Sequence, residues 1–147
     1  SVGGMRGSAA ATEFRIPYRS DRALVTWRYD AGSGTYARWQ NDEGSPVRTV
    51  DGGTRAPIAA RNVAVMWTDF VDSGQRDTVG SVVFDQRMTG TGPASVFRDG
   101  LRQDGTWSRG SVFEAFKFTT VSGEQILLAP GHTWFHVIPM DWVVTSK

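Results

Sequence analysis

Short runs of alternating apolar and polar residues, separated by glycine, proline and aspartate, are the feature that most restricts how this chain can fold. Val63, Val65 and Trp67, for example, fall on one face of an extended strand, because successive strand side chains point to opposite sides. No window of helical length keeps apolar residues three and four positions apart between the glycines and prolines. The sequence therefore predicts an all-β protein.

The segment 90–107 contains the strongest turn signal in the chain. Asp99-Gly100 follows a predicted short strand at 94–98, and Asp104-Gly105 precedes Trp107. Asp-Gly suits the type I′ hairpin turn, because that turn needs positive φ angles, which glycine adopts without steric cost. We expect a series of short antiparallel strands to begin here.

The turn signals and alternating runs together predict a mainly antiparallel barrel or sandwich of about ten short strands, and they do not separate those two architectures. A polar segment at 41–57 is expected to be a long loop, with a short strand at 48–50 as an option. The ten predicted strands are 13–18, 23–29, 35–40, 62–69, 79–84, 94–98, 112–119, 125–128, 133–138 and 142–145.

The length of 147 residues is enough for one domain with a substantial core, and eight Phe and six Trp supply large rings to fill it. Residues 1–11 are mostly Gly, Ala and Ser, which bury too little area to order a chain. The sequence predicts a flexible N-terminal segment at 1–11 and a single all-β domain at 12–147. Because Ser1 is not an initiator methionine, we expect a mature form or a cut fragment.

The charge balance argues against a nucleic-acid partner. Sixteen Lys and Arg oppose fifteen Asp and Glu, and the arginines are scattered along the chain without forming a basic run. Cysteine is absent, which excludes disulfides and thiolate metal sites. No apolar run approaches the ~18 residues that a membrane-spanning helix requires.

Several short motifs resemble one known family. They occur in a consistent order between about Phe14 and Val144, and the hairpin at 92–100 falls among them. The sequence resembles the C-terminal domain of YerB-like bacterial lipoproteins, a cell-envelope family whose biochemical role is uncharacterised. The motifs that carry the resemblance are Trp27-Arg28-Tyr29-Asp30, Tyr36-Ala37-Arg38-Trp39, Arg61-Asn62-Val63, Trp107-Ser108-Arg109, the run 127–134 from Leu-Leu-Ala-Pro to His-Thr-Trp, and Ile138-Pro139.

The resemblance implies an extracytoplasmic, envelope-associated location and a place beside a larger N-terminal domain. On this interpretation the chain packs on an N-terminal domain missing from it, and any membrane attachment is through a lipid anchor that this chain lacks. The family supplies no catalytic residues that could be assigned to positions in this sequence.

Residues that could act as acids or metal ligands are few. His132 and His136 are expected on one strand face, but ~13 Å apart, which is too far to share one zinc ion. Glu114 and Asp141 lie in apolar settings, where burial would raise a carboxyl pKa, although a buried acid paired with arginine is the commoner case. Asp69, Asp72 and Asp77 lack the order of a calcium loop and are predicted to form a solvated turn. The sequence predicts no catalytic residues, no metal site and no cofactor.

Aromatic rings at strand ends are the better candidates for ligand binding. Trp39 borders the polar segment at 41–57, and Trp107 follows the Asp104-Gly105 turn. Rings beside polar loops can stack on sugars, while neighbouring guanidinium groups bind hydroxyls or carboxylates. The predicted ligand-binding residues are Arg38, Trp39, Trp107 and Arg109.

These observations favour a non-catalytic extracytoplasmic binding or interaction module of a bacterial cell-envelope lipoprotein. Its ligand is expected to be cell-wall glycan or an envelope protein. The alternative is a cell-wall-acting hydrolase that uses Glu114 and Asp141. A third alternative is a structural domain that only packs on its N-terminal neighbour.

Overall fold

The computed structural model describes Met5, residues 7–18 and residues 24–147, and the elements below refer to those residues. Within them the chain forms fourteen strands and no helix, so no segment there is a helix that could cross a membrane. The all-β prediction is confirmed. The strands are β1 (Ala9–Ala10), β2 (Glu13–Ile16), β3 (Val25–Asp30), β4 (Thr35–Asp42), β5 (Ser45–Arg48), β6 (Ala59–Ala60), β7 (Asn62–Thr68), β8 (Phe70–Arg76), β9 (Val82–Gln86), β10 (Gly90–Arg98), β11 (Leu101–Arg109), β12 (Lys117–Thr120), β13 (Thr133–Pro139) and β14 (Thr145–Ser146).

Two sheets of six strands stack as a sandwich. Sheet I has the order β1-β11-β10-β7-β13, with β12 also paired to β11. Sheet II has the order β14-β2-β3-β4-β5, with β6 also paired to β4, and β8-β9 form a separate hairpin. All the pairings are antiparallel except that of β13 with β7. Of the two architectures that the sequence left open, the described residues form the sandwich, and none of their sheets closes into a barrel.

The main core lies between the sheets and is built from aromatic rings on inward-facing strand positions. Phe14, Trp27 and Tyr36 of sheet II pack against Phe97 of sheet I, and the side chains of all four are buried. Phe14 and Phe97 stack with their ring centroids 3.6 Å apart. Rings bury a large area per residue, so this sandwich fills its interior with few side chains.

A second core covers the opposite face of sheet I. Trp107 packs there with Met66, Val96 and Phe118, beneath β12 and the chain that follows it. The Trp107 indole N–H donates to the carbonyl oxygen of Trp67 over 2.8 Å. Both faces of sheet I are therefore packed over much of their area. In a simple sandwich of two amphipathic sheets, only one face of each sheet needs to be buried.

The hairpins show where local sequence chemistry was decisive. Asp99 and Gly100 have φ values of 56° and 74°, and they join β10 to β11 as the Asp-Gly signal predicted. Glu43 and Gly44 have φ values of 49° and 86° and join β4 to β5. A hairpin therefore occupies the start of the segment 41–57, for which we expected a long loop. The turn predicted at 72–77 is also displaced, because β8 runs through it.

The start of the fold differs from the sequence prediction. Ala9 and Ala10 form β1 and pair with Arg102 and Leu101 of β11, and Ala11 is fully buried. The ordered sheet therefore begins before residue 12, where the sequence placed the start of the domain. Residues 1–4 and 6 of the predicted flexible segment, and the predicted turn at 19–22, lie outside the described residues.

Candidate ligand-binding surfaces

Strand β4 places Arg38 and Trp39 on opposite faces of sheet II. Arg38 lies directly across from Trp27 of β3, whose side chain is fully buried, so Arg38 points between the sheets. Trp39 lies across from Thr26 and Arg48 and points to the outer side of the sheet. The two predicted binding residues therefore belong to two different surfaces.

The outer surface, here called the Trp39 face, consists of Glu13, Arg28, Trp39 and Arg48. The guanidinium carbon of Arg28 lies 4.8 Å from the Trp39 ring centroid, and that of Arg48 lies 6.0 Å from it. Arg28 also donates to a carboxylate oxygen of Glu13 over 3.0 Å. Trp39 is partly exposed, whereas its indole nitrogen is buried and has no hydrogen-bond partner within the described residues.

Arg48 is fixed by the backbone of neighbouring strands. Its guanidinium donates to the carbonyl oxygen of Arg38 over 3.0 Å and to the carbonyl oxygen of Ile58. Burial lowers the pKa of Arg48 from its usual value. Because carbonyl groups carry no net charge, the positive charge of Arg48 remains available beside Trp39.

The surface on the other side of β4, here called the interlayer cluster, consists of Tyr18, Trp27, Arg38, Trp134 and His136. The Trp27 indole N–H donates to Nε2 of His136 over 3.0 Å, and Nδ1 of His136 lies 2.7 Å from the Tyr18 hydroxyl. An indole nitrogen can only donate, so Nε2 must be an acceptor and the ring hydrogen must be on Nδ1. His136 therefore donates to the Tyr18 oxygen, and the hydroxyl hydrogen of Tyr18 points away from the histidine.

The electrostatics of the interlayer cluster keep its histidine neutral. Burial, with a smaller effect from the charge of Arg38, lowers the pKa of His136 to about 3. Burial raises the pKa of Tyr18 and lowers that of Arg38. At neutral pH the cluster therefore has a single charge, which is the positive charge of Arg38.

Arg38 is held by neutral groups. Its guanidinium carbon lies 5.1 Å from the Trp134 ring centroid, and one terminal nitrogen donates to Thr49 Oγ1 over 2.9 Å and to Gln40 Oε1 over 3.2 Å. The Nε atom of Arg38 is buried and has no hydrogen-bond partner among Met5, residues 7–18 and residues 24–147. The guanidinium is thus oriented by its neighbours, while its charge is not paired with any acid in the described part of the chain.

Two of the predicted ligand-binding residues do not form a binding surface. Trp107 is 1% exposed and belongs to the second core, so its ring cannot stack on a ligand. Arg109 lies over the ring of Phe116, with 4.7 Å between its guanidinium carbon and the ring centroid. It also donates to the carbonyl oxygens of Val112 and Glu114 over 2.5 and 2.9 Å. Arg109 therefore holds the turn that follows β11.

The candidate acids are exposed, contrary to the burial that we expected. The predicted strand at 112–119 begins as a turn, in which Phe113 is 95% exposed and Glu114 is also exposed. Glu114 accepts a hydrogen bond from the Gly110 amide over 3.1 Å. Asp141 is exposed in the turn after β13. Neither carboxyl lies in the apolar setting that we expected.

Other predicted sites also have structural explanations. His132 is exposed, and Asp77 caps the β8-β9 turn by accepting hydrogen bonds from the amides of Val79 and Ser81. Asp72 forms an ion pair with Arg76 over 3.0 Å. No group of three or more metal-ligating side chains occurs among Met5, residues 7–18 and residues 24–147.

A cavity of about 250 Å³ lies against β7, β10 and β11 of sheet I, and it is lined by Ser95, Arg102, Asp104 and Met140 among others. Its polar groups bond to one another. The Ser95 hydroxyl donates to Asp104 over 2.5 Å, and Arg102 pairs with Asp104 over 2.8 Å. The ion pair and hydrogen bonds leave this cavity without an unpaired charge for a ligand.

Sequence reasoning found Arg38 and Trp39 but missed the residues that complete each surface. Arg28 and Arg48 reach Trp39 through cross-strand pairing, and Tyr18 and His136 reach Arg38 through sheet stacking. The missing information was which strands pair and in which register.

The comparisons with known proteins concern most of the chain. A model of the C-terminal domain of a protein family of unknown function (DUF3048) matches residues 14–135. The chain belongs to this family. The DUF3048 domain is also similar in fold to the crystal structure of YerB from Bacillus subtilis, with a TM-score of 0.67 and 22% sequence identity. The match covers 91% of this chain and 43% of the YerB chain, and it confirms the predicted YerB-like C-terminal domain.

At this sequence identity the likeness to YerB shows the fold alone. The chain spans less than half of the length of the YerB chain. No curated protein matches it. The function of this DUF3048 domain is therefore argued from its own surfaces.

Proposed function

We propose that this domain is a non-catalytic, extracytoplasmic binding module of a bacterial cell-envelope lipoprotein, and that its Trp39 face binds cell-wall glycan or an envelope protein. The observation that carries the proposal is the position of the Trp39 ring. It lies on the outer side of sheet II beside two guanidinium groups, one of which pairs with no acid of the described residues. Aromatic rings and arginine are enriched in the parts of protein surfaces that bind partners.

The chemistry of the Trp39 face suits a ligand with both apolar and polar groups. An exposed part of an indole ring can pack against the C–H groups of a sugar or against an apolar side chain. Arg28, whose side chain is 43% exposed, can donate to hydroxyl or carboxylate oxygens at the rim. Glu13, which Arg28 already contacts, supplies an acceptor on the same face.

The location of the domain forms part of the same proposal. Membership of the DUF3048 family supports a role as the C-terminal part of a YerB-like protein. An envelope location, membrane attachment through a lipid anchor and packing against an N-terminal domain follow from the resemblance and belong to the whole protein. The Trp39 face and any surface for the N-terminal domain are separate parts of the proposal.

No observation favours the alternative of a cell-wall hydrolase. Glu114 and Asp141 are both exposed, and Glu114 bonds to the backbone of its own turn. Paired catalytic carboxyls act from one shared cleft, whereas these two exposed carboxyls lie in separate turns, one after β11 and one after β13.

The test is sedimentation of the purified domain with isolated peptidoglycan sacculi, with a parallel pull-down from envelope extract. Trp39→Ala is expected to reduce retention about tenfold or more, because the ring supplies the central contact. Phe135→Ala is the matched control, since it removes a 45% exposed ring from β13 of sheet I. Trp107→Ala is unsuitable because that ring is in the core.

Sedimentation that Trp39→Ala abolishes and Phe135→Ala preserves would support a glycan ligand. A specific envelope protein that is retained by the wild type and by Phe135→Ala, but lost with Trp39→Ala, would support a protein ligand. If the Trp39→Ala variant sediments with sacculi and retains envelope protein as well as the wild type does, a binding role for the Trp39 face is contradicted.

A further inference from the structure

The starting observation is a half-buried arginine without an acidic partner. Ion pairs in the described part of the chain involve eight cationic side chains, and Arg38 is not one of them. The bonds of Arg38 to Thr49 and Gln40 are to neutral oxygens. A charge that is partly removed from water and not paired is unfavourable unless a counter-ion or other compensation is supplied.

The unused hydrogen-bonding groups of the interlayer cluster are all donors. Nε of Arg38 has no hydrogen-bond partner among the residues that the structure describes. The hydrogen of the Tyr18 hydroxyl is also unused, because the Tyr18 oxygen accepts from Nδ1 of His136. A guanidinium group has no acceptor, so a molecule that satisfies these groups must bring acceptor oxygens. A water molecule could satisfy one donor, but it would not neutralise the charge.

The position of the cluster leaves its rim partly exposed. His136 and Trp134 belong to β13, which is the edge strand of sheet I, so the cluster lies at one margin of the sandwich. Tyr18, Arg38 and Trp134 are each partly exposed, whereas Trp27 and His136 are buried. The buried pair forms a fixed base, and the three partly exposed side chains form the rim.

The geometry also holds the donors in place before a ligand arrives. The Trp134 ring lies against the Arg38 guanidinium, and Thr49 and Gln40 fix one end of that group. The Tyr18 ring contacts Trp142 edge to face, with centroids 5.2 Å apart, and its oxygen is held by His136. Donors that are already oriented lose less conformational freedom when they bind.

We propose that Arg38 and Tyr18 form a binding site for an oxyanion, either a carboxylate or a phosphate group, at the margin between the two sheets. This site goes beyond the proposed role of the Trp39 face and is on the opposite side of β4 from it. Arg38 supplies the charge and a charge-assisted hydrogen bond, and Tyr18 supplies a second donor. His136 is a positioning residue, because it orients the Tyr18 hydroxyl and makes no contact with the anion.

The charged and titratable groups around the site predict its pH dependence. His136 faces it from β13 with a pKa lowered to about 3, and Tyr18, which follows β2, has a raised pKa. Arg38 faces it from β4. None of these three side chains changes charge between about pH 5.5 and about pH 8. The affinity of the site for acetate is therefore expected to be constant over that range.

The test is a titration of the domain with sodium acetate and, separately, with sodium phosphate, at constant ionic strength set with sodium chloride. Proton–nitrogen NMR reports on the Arg38 Nε–H and on the indole N–H of Trp134. A saturable shift of these signals is expected with at least one probe. Arg38→Met should weaken the apparent Kd at least about tenfold and Tyr18→Phe about threefold, as loss of a charged and of a neutral hydrogen bond implies.

Arg109→Met is the control, because that variant removes another partly exposed arginine that lies over an aromatic ring. A preference for acetate or for phosphate would identify the class of anion. The proposal is overturned if neither probe gives a saturable shift, or if the shift is the same in Arg38→Met and Arg109→Met. If Arg38→Met does not fold, Tyr18→Phe decides, since it removes only the hydroxyl.

The sedimentation with sacculi and this anion titration test different surfaces, so a negative result in one does not decide the other. Arg38 and Trp39 point to opposite faces of sheet II, so Trp39→Ala is expected to leave the anion titration unchanged. Loss of the titration in Trp39→Ala would mean that the two surfaces are one site, which would contradict the separate anion site.

Discussion

The indole N–H of Trp27 donates to Nε2 of His136 over 3.0 Å, and this bond joins the two sheets of the sandwich. The residues are 109 positions apart in the chain. Because the indole can only donate, the bond also fixes the tautomer of His136 and the direction of the Tyr18 hydroxyl. If His136 were protonated, the hydrogen on its Nε2 would face the hydrogen of the Trp27 indole. The hydrogen bond between Trp27 and His136 therefore requires a neutral imidazole.

The first prediction concerns stability against pH. The pKa of His136 is about 3 in the folded protein and about 6.5 in an unfolded chain, so the unfolded state binds more protons as the pH falls below 6.5. The folded state should therefore lose about 2 kcal/mol of stability between pH 7 and pH 5. Urea unfolding at the two pH values measures this loss.

His136→Gln is the control for that measurement, because it removes the titrating group and keeps an acceptor for Trp27. The carboxyls of Glu13, Asp99 and Asp104 have lowered pKa values, so their stabilising effect is lost mainly below about pH 5. A loss of the same size between pH 7 and 5 in His136→Gln would show that other groups cause it.

The second prediction concerns the close approach of Trp107 to the backbone. A Cβ atom on Gly92 would lie 2.5 Å from Nε1 of Trp107 and 2.6 Å from the carbonyl oxygen of Trp67, the two atoms that form the hydrogen bond. Gly92→Ala should lower the free energy of unfolding by more than about 2 kcal/mol. Denaturant unfolding compares it with Gly52→Ala, where a Cβ would meet nothing within 4 Å. Equal effects of the two substitutions would show that the contact is not tightly packed.

The third prediction concerns Asn62, which is fully buried at the start of β7. Its side-chain amide donates to the carbonyl oxygen of Ala129 over 2.8 Å and to Thr133 Oγ1 over 3.1 Å, and its side-chain oxygen accepts from the Ala129 amide over 2.8 Å. Asn62→Ala would leave buried backbone groups unpaired and should destabilise the fold by about 3 kcal/mol. The matched control is Asn41→Ala, at a partly exposed position, which should change stability by less than about 0.5 kcal/mol. A small effect of Asn62→Ala in calorimetry would mean that water replaces the lost bonds.

Particular residues show how far the sequence could predict the candidate sites. Alternation in β4 separated Trp39 from Arg38, and the structure places them on opposite faces. Trp107 was wrongly predicted to be at a surface, because a turn precedes it and the second core that covers it comes from β12 and the chain beyond. Glu114 was wrongly placed in a strand, because the turn around it depends on Arg109 binding the backbone of residues 112 and 114.

The sequence by itself determined the all-β class and the Asp99-Gly100 hairpin, since strand alternation and turn conformation depend on neighbouring residues. Only the tertiary structure decided that the sheets form a sandwich, that sheet I has a core on each face and that Arg38 meets Tyr18 and His136. The physical reason is that strand partners and sheet stacking are set by contacts between distant segments. Many pairings of short alternating strands bury similar side chains, and the packing of the whole chain selects one of them.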